Sequence, residues 1–156
     1  MADRDTVFGG FTVERRFNAR PARVFAAFTD ARIKQRWLGC DHVASPVIEQ
    51  LDFVVGGREV SRGPGTDGVD HIFEGTYLDI VDDSRFVFAF VMHLGERKLS
   101  ASIASVEVMA DGDGTRLLFN EQGVYFGEDG WADREEGTAV GMDQLAAWLA
   151  QQDKDI

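Results

Sequence analysis

A single cysteine, Cys40, excludes an internal disulfide, so no covalent bridge closes this chain of 156 residues. Histidine is nearly as scarce. His42, His71 and His93 are the three present, and no two stand at the i, i+4 spacing that puts two imidazoles on one helix face. No metal is therefore expected. No cofactor is expected either: the glycine-rich stretch 63–68 lacks the lysine and the strand–loop–helix setting of a phosphate-binding loop. The start, MADRDTVFGG, has no apolar signal-peptide core, and no apolar run approaches membrane-spanning length. A cytoplasmic location without membrane insertion is the resulting expectation. Basic residues are the minority, 16 against 27 acidic, for a net charge of −11 and a pI of about 4.6. A polyanion repels phosphate backbones, which argues against nucleic acid as a partner.

What is present is the composition of a globular protein, 44% hydrophobic and 28% charged. The length fits one domain over residues 1–156, with an ordered core at about 6–152. Twelve phenylalanines stand against two tyrosines, Tyr77 and Tyr125. Phenylalanine brings apolar area without a polar handle, which suits a thick core or an apolar cavity.

Along the chain, Phe11, Val13 and Phe17 alternate with Thr12, Glu14 and Arg16, the pattern of a half-buried strand over 6–17. Pro21 suits the first turn of a short helix whose apolar face is Val24, Phe25 and Phe28. Thr29 or Asp30 caps a second short helix through Trp37, with Gly39 as its stop. From residue 46 to 126 the signals are strands and turns: Val47–Val55, Arg58–Arg62, Asp70–Val81, Arg85–His93, Lys98–Met109 and Thr115–Tyr125. Asp111–Gly114 is a hairpin turn of glycine-favouring type. Short turns between neighbours make the about seven strands antiparallel.

One long helical period closes the chain, Trp131 to Gln152. Its stripe at spacings of three and four is Trp131, Arg134, Glu135, Thr138, Met142, Leu145 and Leu149, with Gly141 and Trp148 at the edge. The second half of that stripe is ordinary core. The first half is polar, and Gly137 and Gly141 each cost roughly 1 kcal/mol of helix propensity relative to alanine. Either this half faces a space that is neither packed nor dry, or it leaves the core and stands in water. An α+β architecture follows: a seven-stranded antiparallel sheet curved around the C-terminal helix, with two short helices after the first strand plugging one end. A sheet curved around a helix leaves unfilled space between them, where a ligand can sit.

Several stretches resemble the activator of heat-shock-protein-90 ATPase homologue family of the START-like, or SRPBCC, superfamily of helix-grip proteins. They are Phe17–Asp30 (FNARPARVFAAFTD), Trp37-Leu38-Gly39, Asp52–Arg58 (DFVVGGR), Arg62-Gly63-Pro64, Phe73–Ile80 (FEGTYLDI), Arg85–Phe88 (RFVF), Gly114–Leu117 (GTRL) and Met142–Leu145 (MDQL). The resemblance spans nearly the whole chain in order and implies the helix-grip fold. Relatives commonly carry Gly-Trp where this chain has Gly137-Thr138, which implies a larger or more polar cavity here.

Three side chains are candidates for acid–base chemistry. Glu121 shares a strand parity with Leu117 and Phe119, and an inward carboxylate in an apolar setting has a raised pKa. Its alternative place is a strand end, paired with Arg134 or water. His93 ends an aromatic strand and would be a cavity-mouth base, or a plain surface histidine. Tyr77 would hydrogen-bond a carbonyl, or hang its hydroxyl at the rim of the core. Phe86, Phe88 and Phe90 are core before they are a cofactor box. Cys40 has only His42 nearby as an activating partner, too little for a nucleophile.

Two classes of function are compatible. One is a binding protein for a small apolar or amphipathic molecule, monomeric or homodimeric. Its ligand would be surrounded by Trp37, Phe73, Tyr77, Phe88, Phe90 and Phe119, with Glu121 from the sheet and Trp131, Arg134, Thr138 and Met142 from the helix. The other is a cavity enzyme of cyclase, dehydratase or hydrolase type, which needs at least two of Glu121, His93 and Tyr77 to meet. The resemblance adds a third, a partner protein that stimulates a chaperone ATPase.

Overall fold

The alternation read at the first strand is the one that forms. In β1 (Thr6–Phe17) Val13 and Phe17 are buried, Thr12, Glu14 and Arg16 are exposed, and Phe11 stacks on Phe119 with ring centroids 6.5 Å apart. The computed structural model describes residues 6–38, 46–64, 68–127 and 130–154. Gly39, Cys40, His42 and the centre of the 63–68 stretch lie outside the described residues.

After β1 come α1 (Pro21–Thr29) and α2 (Ala31–Leu38), then β2 (Val47–Leu51), β3 (Arg58–Pro64), β4 (Asp70–Val81), β5 (Arg85–Leu94), β6 (Arg97–Asp111), β7 (Gly114–Phe126) and α3 (Gly130–Lys154). The strands make one open antiparallel sheet of seven in the order β1-β7-β6-β5-β4-β3-β2. Only the pairing of β1 with β7 departs from sequence order; α1 and α2 occupy the connection from β1 to β2, which are the two edge strands. Sheet and α3 together form the helix-grip arrangement.

Local chemistry accounts for the short helices. Pro21 opens α1 behind an extended Arg20 (ψ 153°). Of the two cap candidates for α2, Asp30 does the work: its Oδ1 accepts the Arg32 amide at 2.8 Å. Thr29 instead donates back to the Ala26 carbonyl at 3.1 Å. The buried faces of both helices are aromatic. Phe25 meets Phe86 and Phe28 meets Trp37, at 5.9 and 5.2 Å between centroids. The Trp37 indole donates to the Ala27 carbonyl at 2.9 Å, so its one polar atom is satisfied inside the core.

One strand is shorter than its pattern predicts. Val47–Val55 reads as continuous, but β2 ends at Leu51. The chain bends there and turns Phe53 inward, 4.8 Å from Tyr77 and 5.3 Å from Phe86. Tight turns follow, with Gly57 N–H donating to the Val54 carbonyl at 2.8 Å and Gly56 at φ +86°. Partial burial of the Phe53 ring accompanies the loss of the strand positions 52–55 and leaves Val54 and Val55 exposed.

In α3 the predicted division is present. Met142, Leu145 and Leu149 are buried in the main core with Val106, Leu117 and Phe86. Leu145 is fully buried, at 0% exposure. At the other end Trp131 leaves the inward stripe. Its indole lies over Gly9 of β1, where any Cβ would sit 2.0 Å from its Cδ1, and it remains 38% exposed. Arg15 on the inner parity of β1 pairs with Asp143 of α3 at 2.9 Å.

Leu145→Asp places a carboxylate where no water reaches, a cost of several kcal/mol in a domain of ordinary stability. The variant is expected to lack a cooperative thermal transition by circular dichroism. A wild-type-like melt would refute the assignment of this face as the anchor of α3.

Candidate functional site

The inner face of the sheet is organised in cross-strand rows. One row runs Ser61, Phe73, Met92, Ser100, Tyr125, and the next runs Glu59, Gly75, Phe90, Ser102, Gly123. The third holds Tyr77, Phe88, Ala104, Glu121 and Phe11. Gly75 gives the neighbouring ring its room: a Cβ there would sit 3.0 Å from the Phe73 ring and press it aside. Between this face and α3 is an open cleft of about 940 Å³. Gly137 and Gly141 look onto it, and a Cβ built on either meets nothing within 4 Å. The polar half of α3 thus borders a space that is neither packed nor sealed.

Two buried carboxylates stand in the cleft wall. Glu121, at 2% exposure, accepts three hydrogen bonds on Oε2: from Arg134 Nη1 at 2.9 Å, Tyr125 at 2.7 Å and Ser102 at 3.1 Å. Arg134 also donates through Nη2 to Ser100 at 2.6 Å, and its guanidinium lies 5.6 Å from the Phe90 and Tyr125 ring centroids. Glu59, at 4% exposure, accepts from Lys34 Nζ at 2.8 and 2.7 Å on its two oxygens and from the Tyr77 hydroxyl on Oε1. The two stations have the same construction, a carboxylate matched by a helix-borne cation and capped by a phenol. In each the charge is paired, as burial demands.

The phenols respond to their setting. Burial, then the charge of Glu59 and the hydrogen bond to it, push Tyr77 well above the ordinary phenol value. Burial, then the bond to Glu121 and its charge, push Tyr125 up likewise, opposed by Ser102 and Arg134. At the cleft mouth His71 is held below its usual value by partial desolvation and then by the Arg134 charge.

Most side chains read from the sequence reach the cleft: Trp37, Phe73, Phe88, Phe90, Phe119, Glu121, Arg134, Thr138 and Met142 all line it. Three do not. The Trp131 indole packs over Gly9 of β1, as described. Tyr77 is buried behind Glu59. His93 falls between Met92 and Leu94, both of which line the cleft, and so stands on the opposite parity of β5. Glu121 is inward, as its parity implies, but its surroundings are not apolar: both of its sequence-level alternatives, inward and paired with Arg134, hold at once. Because Tyr77 serves Glu59 and His93 is off the wall, Glu121, His93 and Tyr77 do not form a constellation. Unforeseen were Glu59, Lys34, the serines of β6 and His71. Period-two reading places Val60 inward and Glu59 in water, whereas in β3 Glu59 and Ser61 are the buried parity. Among the described residues no three His, Cys, Asp or Glu side chains come together to hold a metal. No described helix is long and apolar enough to cross a membrane.

A family model described as "Activator of Hsp90 ATPase homolog 1-like protein" matches residues 18–151. Among solved structures, Mll3558 from Rhizobium loti is 40% identical with a TM-score of 0.82, over 92% of this chain and 99% of that one. A putative uncharacterized protein from Rhizobium leguminosarum is 34% identical with a TM-score of 0.82, over 94% and 97%. Protein CV1439 from Chromobacterium violaceum shares the fold at 22% identity and a TM-score of 0.76, over 88% and 95%. No curated protein matches the chain significantly.

Removing one partner of a buried pair leaves the other uncompensated. Arg134→Met is expected to cost about 3–5 kcal/mol, and adding Glu121→Gln to recover a large part of it, measured by urea denaturation. Full additivity of the two losses would show that the pair is not coupled. For the phenols, the folded state holds the neutral form. Their stabilisation is therefore complete below the unfolded pKa of about 10 and lost as pH rises above it, by up to about 1.4 kcal/mol per pH unit for each tyrosine. Tyr77→Phe and Tyr125→Phe should each flatten the fall in stability between about pH 10 and 11.5. An unchanged slope in both would contradict the raised values.

Proposed function

The chain belongs to the Activator of Hsp90 ATPase homolog 1-like family, within the START-like/SRPBCC superfamily, and we propose that it is a binding protein for a small apolar or amphipathic molecule held between the sheet and α3. The observation that carries this reading is the cleft of about 940 Å³ on an aromatic floor. A volume of that order lies in the range of small-molecule sites, which are mostly apolar with a few placed polar groups. Phe73, Phe88, Phe90 and Phe119 supply the apolar part, and Arg134 with Glu121 a polar one.

The α3 side supports the same reading. A helix under selection for packing alone gains by filling Gly137 and Gly141, since alanine is better by about 1 kcal/mol at each. The glycines leave room on the side facing the sheet, and half-buried Thr138 lines the same space. Catalysis by Glu121, His93 and Tyr77 as a set finds no geometric support. The family description names a chaperone ATPase, whereas the aromatic floor and paired charges described above are internal.

Native mass spectrometry of protein purified from its host tests the proposal directly: a retained small molecule is expected, and ligand-free protein from several preparations would speak against it. Gly137→Ala should raise stability by about 1 kcal/mol, and Thr138→Trp should leave the fold intact. Both should lower the amount of retained molecule. Undiminished retention in Thr138→Trp would place the binding site elsewhere.

A further inference from the structure

The inner face of the sheet is polar at both flanks and aromatic in the middle. On β3, Glu59 and Ser61 are buried at one flank, and Ser102 and Glu121 of β6 and β7 are buried at the other. Between them β4 and β5 contribute Phe73, Phe88 and Phe90, with centroid separations of 6.2, 5.0 and 5.4 Å around the three rings. A single row already shows the pattern, since Glu59, Gly75, Phe90 and Ser102 are successive cross-strand partners. From β3 to β7 is four strand spacings, about 19 Å along the sheet before curvature shortens it.

Each flank presents a cation whose charge is already matched. Lys34 contacts both oxygens of Glu59, and Arg134 bonds Glu121 and Ser100. Neither is sealed: their side chains keep 13% and 17% of their exposure, and both line the cleft. An ammonium carries three N–H donors and a guanidinium five, so both stations have donors beyond those bonds. A ligand carboxylate arriving there would lose its hydration and meet a cation already neutralised, inside a protein of net charge −11. A carbonyl oxygen would gain the hydrogen bond without bringing in an unmatched charge.

Resting on the binding function proposed above, we infer that the ligand is a neutral molecule with an apolar middle and a hydrogen-bond acceptor oxygen at each end, one end met by Lys34 and the other by Arg134. Such a molecule differs from a fatty-acid-like amphipath, which has one charged head and a free tail. The single-headed amphipath would leave one of the two stations facing hydrocarbon, where unmet donors are costly.

Displacement of anilinonaphthalene sulfonate from the full-length chain, followed by fluorescence, tests this with three competitors of equal chain length. Dimethyl dodecanedioate is expected to displace the dye at a concentration at least about tenfold lower than methyl dodecanoate. The dodecanedioate dianion should be weaker than its diester. In a Lys34→Met/Glu59→Gln double variant, which removes one station without stranding a charge, the diester advantage should shrink to about twofold or less. Equal displacement by diester and monoester in the wild type overturns the two-ended ligand and needs no variant to fold. So does an advantage that survives in the double variant. A dianion stronger than the diester overturns the neutral ends. Failure of the dye itself to bind removes instead the binding function on which this inference rests.

Discussion

One ion pair decides the shape of the interior. The C-terminal half of α3 is held by apolar contact, but its N-terminal half crosses the sheet with glycines at 137 and 141 and little to bury. Beyond the contact of Trp131 with Gly9, what ties that half down is Arg134, whose guanidinium reaches Glu121 and Ser100 and spans the rings of Phe90 and Tyr125. An ionic tether acts at side-chain length, so the helix stands off from the sheet and does not collapse onto it. Apolar packing would have brought the two surfaces into contact and left no cleft. Removing Arg134 without its partner strands a buried carboxylate, so the tether and the polar wall of the cleft stand or fall together.

The same device recurs at the far side of the sheet, where Lys34 of α2 holds Glu59. Both α2 and α3 thus meet the sheet through a cation on a buried glutamate, with a tyrosine as the third member. The phenol matters physically. It donates to the carboxylate without adding charge, and burial keeps it protonated far beyond the pH at which a free phenol ionises. Fold maintenance and cleft polarity are therefore assigned to the same six side chains, while the aromatic ladder of β5 supplies the apolar remainder.

Much of this was legible in the chain. Alternation in β1 and β7, the turn at Asp111–Gly114 and the long helical period gave strand parity and helix position because each follows from a fixed geometric repeat. The division of α3 was visible too, because glycine and arginine on an otherwise apolar stripe have no packing explanation. What escaped were features that violate the local rule. In β3 the polar parity is the buried one, so Glu59 could not be found without knowing that Lys34 arrives from α2. Val47–Val55 satisfies the pattern of a strand, yet the ring of Phe53 drew the chain inward and ended β2 at Leu51. Trp131 obeys the helical period but is claimed by the bare backbone of Gly9, a tertiary contact no period encodes.

The open ground above Gly137 and Gly141 bears on how such a protein diversifies. A Cβ added at either position meets no atom within 4 Å, so a small side chain enters there without displacing a neighbour. Two adjacent turns of one helix therefore act as adjustable stops on the volume beneath them. Single substitutions there would change the volume of the cleft while leaving Leu145, Leu149 and the seven strands untouched.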